Sequence, residues 1–304
     1  LIFFTLIVCG PAAAAPNFFS GYAFSLELNT GFFYGQGEEA VYFPGSGRRK
    51  SFLTWDMKPL FYYGAALDFS LTEPLEKAGF FGSFSAKFGV PAKTGDMVDE
   101  DWDIQRQRIG FSRHDNHTES AVLTDLLLGA SIPIKSRLAL GLYGGFSWMR
   151  FSWTGRDGHG SYSWNPSASF SGPVISYTQE WLLFYPGVSL LVPFFSRFAL
   201  KFSFQGSPLI FCAARDHHIT TSTEYHDRLR WGLYLEPGME LRFIPRKNCV
   251  LSLNCAYRLT ESGDGDSSSK TTGPGGGNSS ELQTSAGAAI RVFTLGLSFK
   301  IGLY

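Results

Sequence analysis

Charge is scarce in this chain of 304 residues: Asp, Glu, Lys and Arg make up 17% of it, against about 25% in a soluble globular domain. The 26 Lys and Arg cancel the 26 Asp and Glu. No basic field therefore exists to draw a nucleic acid by counterion release, and nucleic acid is a poor candidate partner. Long hydrophobic runs are missing as well. Past the amino terminus no stretch reaches the ~18 apolar residues of a helical span, and the mean hydropathy of −0.02 is far too low for a helical membrane protein. Cysteine is sparse, with 4 in the chain. Cys249 and Cys255 lie six residues apart on one expected strand, about 20 Å, which no disulfide can span. No Cys-x-x-Cys pair suggests a metal knuckle.

What is present points to β-structure. Aromatics reach 16%, with 29 Phe and 13 Tyr, beside 34 Gly, a composition that at neutral hydropathy suits a β-barrel in a membrane. The apolar run from Ile2 to Gly10, followed by Pro11-Ala12-Ala13-Ala14-Ala15-Pro16, reads as the hydrophobic part and cleavage site of an export signal. Residues 1–15 are accordingly expected to be a partial signal peptide, and 16–304 a single barrel domain.

Period-two alternation recurs along the chain. Tyr22, Phe24, Leu26 and Leu28 alternate with Ala23, Ser25, Glu27 and Asn29, and Leu295, Leu297, Phe299, Ile301 and Leu303 with Thr294, Gly296, Ser298, Lys300 and Gly302. Alternation alone fits a sandwich or a barrel. Connection lengths favour the barrel: brief turns at 72–77, 133–136, 195–197 and 245–248 alternate with long stretches at 89–117 and 263–280, as short periplasmic turns alternate with outer loops. The expected fold is all-β, a ten-stranded antiparallel transmembrane barrel with tall strands, long extracellular loops and a carboxy-terminal strand that closes on the first.

Two groups of residues can do chemistry. Asp99 and Asp101 are two apart, so in an extended segment both project to one side with about 6–7 Å between Cα atoms. Carboxylates that close can share a proton or position a water. Asp216 and His218 repeat the spacing, and a carboxylate beside an imidazole orients the ring and raises its basicity. Counted from Phe198, simple parity turns Asp216 and His218 toward lipid unless Gly206-Ser207-Pro208 forms a bulge.

The run Gly95-Asp96-Met97-Val98-Asp99-Glu100-Asp101-Trp102, followed by Ser112-Arg113-His114 and Asp216-x-His218, resembles the omptins, ten-stranded outer-membrane proteases of Gram-negative bacteria. Glu39-x-Val41-Tyr42, Gly47-Arg48-Arg49-Lys50, Trp55 and Arg150 support the likeness. The resemblance implies an aspartic-type endopeptidase of the outer membrane whose groove faces the extracellular side. In it Asp99, Asp101, Asp216 and His218 are catalytic: a water between the pairs attacks the peptide carbonyl and His218 takes its proton. It implies no base beside Ser112. The pocket before the cleaved bond, selective for basic residues, has its acids matched at Glu39 and Ala214, and the loss of one acid at Ala214 weakens the expected preference, with Arg215 adjacent to repel a cation. Met97 and Ile175 match the pocket after the bond.

The family needs no metal or organic cofactor, but it requires lipopolysaccharide on the barrel exterior, so lipopolysaccharide or another surface lipid is an expected requirement here. Arg150 matches one lipid-binding residue. Phe146, Trp148 and Glu180 depart from the others. Expected partners are peptide or protein substrates and outer-membrane lipids, with the chain a monomer. Competing readings are an omptin-like barrel acting as an adhesin without proteolysis, a metal site from His114, His117, His217 and His218, and a passive pore.

Overall fold

The computed structural model describes residues 23–71, 77–135, 138–246, 248–263, 265–271 and 282–303. The signal-peptide reading and the stretch 272–280 lie outside them. Among the described residues the chain is strand and turn throughout, in fourteen strand segments. These are β1 (Ala23–Tyr42), β2 (Arg49–Ser70), β3 (Gly79–Gly89), β4 (Ala92–Trp102), β5 (Arg108–Lys135), β6 (Leu138–Tyr162) and β7 (Asn165–Phe195). Then follow β8 (Phe198–Ser207), β9 (Ile210–His218), β10 (Thr223–Arg230), β11 (Gly232–Arg246), β12 (Cys249–Ser262), β13 (Gly265–Thr271) and β14 (Leu282–Leu303).

All the pairings are antiparallel, and they close on themselves. At one level the ring runs β1-β2-β3-β5-β6-β7-β8-β11-β12-β14 and returns to β1, with Phe24 opposite Leu303. At the other level β4 takes the place of β3 between β2 and β5, while β9, β10 and β13 take the places of β8, β11 and β12 between β7 and β14. Consecutive segments thus stack end to end into tall staves, and each of the two rings closes on itself. The stretch 89–117, expected as a loop, is a correction: most of it is β4, a short turn and the start of β5. Its acidic residues hide the alternation that a greasy strand displays. Of the stretch 263–280, residues 265–271 form β13.

At the level of the first ring the alternation sorts lipid from lumen. Leu295, Leu297, Phe299 and Ile301 on β14 are 40–61% exposed, while Thr294 and Ser298 between them are buried. Phe198, Phe202 and Phe204 on β8 and Phe80, Phe84 and Phe88 on β3 face outward in the same way. Along the second ring the outward positions turn polar, with Lys93, Arg215 and Arg228 exposed, so the apolar band ends beneath it.

Above a cavity in its lower part the lumen is filled. Arg258 is paired with Glu236 and lies 3.3 Å from Asp125, and above it the rings of Phe151, Trp153, Trp55 and Tyr177 stack at centroid distances of 5.5–6.2 Å. This stack forms the floor on which the upper ring stands. Gly37 is required there, because a Cβ at that position would come within 2.7 Å of the Trp153 ring.

The phase of the β8–β9 stave follows from one extra residue. Gly187 pairs with Gln205 and Leu183 with Ile210, so four steps along β7 face five along the other chain. Ser207 Oγ accepts a 2.8 Å hydrogen bond from the Leu209 amide inside this bulge. Even-numbered residues point to lipid on β8 and into the lumen on β9, which carries Asp216 and His218 inward.

Candidate active site

Asp99 and Asp101 project from β4, held between β2 and β5: Asp99 is opposite Leu53 and Ser112, Asp101 opposite Ser51 and Gly110. Ser51 Oγ donates to Asp99 Oδ1 at 3.3 Å. Across the barrel, β9 is held between β7 and β10, where Asp216 is opposite Tyr177 and Tyr225. His218 Nε2 lies 2.7 Å from Asp216 Oδ2, and the Tyr225 ring meets the imidazole edge-on at 5.3 Å. The two pairs face one another closely enough to set each other's charge.

Burial pushes the Asp99 carboxyl up, to about 7, with the neighbouring Asp101 raising it further and His218 opposing. Burial raises Asp101 as well. For His218 burial acts downward, but Asp216, through charge and hydrogen bond, outweighs it, and with Asp99 and Asp101 lifts the ring to about 9. The quartet therefore holds protons near neutrality that ordinary carboxylates would release and keeps its imidazole positive.

The other expected residues gather around this centre in different ways. Glu39 on β1 is buried opposite Leu53 and Ala288. Burial, then Asp216, Asp227 and Asp99, raise its carboxyl well above the usual range. Ala214 on β9 is buried with Gln179 and Asp227 as its register partners. Met97 is opposite His114, and Ile175 is opposite His218 and Gly155. A Cβ on Gly155 would lie 3.5 Å from Met97 Cγ, so Met97 and Ile175 border the same small-residue position. Arg215 points outward and is exposed, so it does not crowd the pocket as adjacency in sequence suggested. Arg150 is exposed on the outer face of β6, directly opposite Glu180 of β7.

Three features escaped the sequence reading. Ser112 does have a base beside it: His114 Nε2 is 2.9 Å from Ser112 Oγ, and His114 Nδ1 is bonded to the Asp157 carbonyl. The carbonyl fixes the proton on Nδ1, leaving Nε2 to accept from the serine. Both residues are at most 2% exposed, and burial holds the His114 ring below its usual range. This is a neutral internal pair, found two residues apart on one strand face, a signal that the i, i+2 rule would have given. The others are Tyr225 and Asp227, which alternate inward with Leu229 on β10. The four histidines weighed as a metal set do not converge, since His114 and His117 are three apart on one strand and point to opposite faces. Among the described residues no three His, Cys, Asp or Glu come together as a metal site.

The omptin family model matches residues 20–301. The chain belongs to the omptin family. Among solved structures it is similar to the outer-membrane protease OmpT of Escherichia coli, with a TM-score of 0.82 at 20% identity over 96% of this chain and 99% of that one. The toluene transporter TodX of P. putida also aligns, over 93% of this chain and 90% of that one, but at 7% identity and a TM-score of 0.39. Among curated proteins none matches in sequence. The omptins are outer-membrane proteases, and family and barrel together assign this chain to the bacterial outer membrane.

Proposed function

We propose that this omptin is an aspartic-type endopeptidase that cleaves peptides and proteins at the cell surface through water activated between Asp99 with Asp101 and Asp216 with His218. The observation that carries this reading is the placement of the two pairs on opposite walls of the upper ring, each acting on the charge of the other. A water lodged between them attacks the carbonyl carbon of the scissile bond. His218 takes its proton on the ring nitrogen not engaged by Asp216, and Asp216 holds the imidazole in orientation. The Asp99 and Asp101 pair accepts a hydrogen bond from the attacking water and balances the imidazolium. As the tetrahedral intermediate collapses, the proton passes from His218 to the departing amine, the C–N bond breaks, and a carboxylate and an amine leave.

Glu39 is proposed to bind a basic side chain before the cleaved bond, and Met97 with Ile175 to border the pocket after it. Because the strand ends Phe24 and Leu303 pair at the end opposite the site, termini in the periplasm would turn the site to the extracellular side. Arg150 is proposed to meet the phosphate of lipopolysaccharide or another surface lipid, weakened by the carboxylate of Glu180 beside it. The protein is proposed to work as a monomer, without metal or organic cofactor.

Refolding the chain with and without lipopolysaccharide and screening a peptide library tests the reading. Cleavage that is lost in His218→Ala and Asp99→Ala supports it. An intact barrel that cuts no peptide under either condition refutes it and favours the adhesin.

A further inference from the structure

Glu39 and Asp227 are 1% and 3% exposed, and neither belongs to the catalytic quartet. Glu39 Oε2 accepts no hydrogen bond from any described residue, and for Asp227 the one neighbouring donor is the hydroxyl of its register partner Ser267, too poorly aligned to satisfy Oδ1. A carboxylate oxygen buried this deeply without a donor is costly. It is tolerated where an incoming group supplies the donor.

The two acids share one region of the lumen. Asp227 on β10 is the register partner of Ala214 on β9 and of Ser267 on β13. In the upper ring β10 is one stave nearer to β1, and so to Glu39, than β9 is. The buried Tyr177 phenol is acted on by both Glu39 and Asp227, and so is the Cys212 thiol. The core around them includes Ala214, Ala286 and Ala288, small residues that offer a long entering side chain little steric opposition.

We propose that Asp227 is a specificity-determining residue: with Glu39 it forms a two-carboxylate pocket for the guanidinium or ammonium of the substrate residue before the cleaved bond, supplying from β10 the acid that position 214 lacks on β9. The inference rests on the endopeptidase reading above. Burial pushes Asp227 up to about 6, with Asp216 adding to it, and the groups that raise Glu39 beyond its own burial are Asp216, Asp227 and Asp99. The groups that face these two acids are thus carboxylates, the Tyr177 and Tyr225 phenols, the Cys212 thiol and the Ser267 hydroxyl, and no Lys or Arg is among those that shift either acid. A cation entering between them is the countercharge the cluster lacks, and an arginine fork can bond both walls at once.

The test uses two peptides identical except for Arg or citrulline before the cleaved bond, since citrulline keeps the shape and hydrogen-bonding length of arginine without its charge. The ratio of kcat/KM for Arg over citrulline should fall at least about tenfold in Asp227→Asn, the usual worth of a charge-assisted hydrogen bond. It should recover in Ala214→Asp/Asp227→Asn, which moves the acid across the register pair. A ratio within twofold of wild type in Asp227→Asn overturns the proposal. Should Asp227→Asn fail to assemble, Ala214→Asp/Asp227→Ala is read instead, and a tenfold loss of the ratio there overturns it. If wild type cuts neither peptide, the endopeptidase reading has failed and binding decides: calorimetry at pH 6 in buffers of different ionisation heat should show the Arg peptide expelling protons from wild type and fewer from Asp227→Asn. Equal proton release, or no binding of the Arg peptide to wild type, overturns the pocket itself.

Discussion

Asp216 and His218 meet at 2.7 Å on one face of β9, and they do so only because a single extra residue between Gln205 and Ile210 turns that face inward. Deleting Leu209 should reverse the phase of β9 and direct Asp216 and His218 away from the groove. The expected outcome is a barrel that still assembles through its lower ring and cleaves nothing. A deletion variant with wild-type cleavage would show that the catalytic pair does not depend on the bulge.

Replacing Asp99, Asp101, Asp216 or His218 singly by Ala should lower turnover at least about a hundredfold, since each positions the water or moves its proton. Ser112→Ala should act differently. Its partner His114 is buried and neutral, so losing the hydroxyl costs about 1 kcal/mol of stability and far less activity. Steady-state kinetics beside urea titrations separate the two effects.

The pH profile follows from His218. Its imidazole must be neutral to take a proton, yet it is held up at about 9, so kcat/KM should climb about tenfold per pH unit from neutrality toward that value. Asp99→Asn removes one of the negative charges that favour the imidazolium, and the His218 titration should move to lower pH. Histidine-selective NMR on the refolded barrel measures it. A rate that falls between pH 7 and 9 would assign the proton-accepting role to the Asp99 and Asp101 pair, with His218 acting as a cation.

Gly37→Ala should press a methyl group into the Trp153 ring and destabilise the barrel by about 1–3 kcal/mol, as overpacking does. Denaturant unfolding in lipid vesicles reads the loss. An unchanged midpoint would mean that the aromatic floor can shift to accept the methyl group.

Glu180→Arg should increase stimulation by lipopolysaccharide severalfold, because it replaces the carboxylate opposite Arg150 by a second cation. The comparison is of cleavage rates with and without the lipid. Equal stimulation of wild type and variant would remove the β6–β7 surface as the lipid site.

Local pattern alone discloses the lower ring, since greasy residues alternate plainly with small or polar ones from Phe24 to Leu28 and from Leu295 to Leu303. The paired acids were visible for the same reason: residues two apart on a strand must share a side, whatever surrounds them. What stayed hidden depends on neighbours distant in sequence. Residues 92–102 form a strand because β2 and β5 grip them on both sides, and their acidic composition conceals it. Asp227 could be related to Ala214 only through the register of the β9–β10 hairpin. Arg215 looked like a pocket residue by adjacency, although adjacent strand positions face opposite ways.

The filled lumen has an electrical consequence. Ion pairs around Arg258 occupy the membrane level, and the stacked rings of Trp55, Trp153 and Tyr177 lie above them. A further cavity of about 420 Å³ is lined by the acids Glu27, Asp68 and Glu240 and by the bases Lys87, Lys201, Arg242 and Lys300, so fixed charges of both signs meet there. An ion crossing the barrel would have to part salt bridges and then shed its water against aromatic faces. The barrel is therefore expected to conduct ions poorly, so that a cell could carry many copies without short-circuiting its envelope, and planar-bilayer recordings check this.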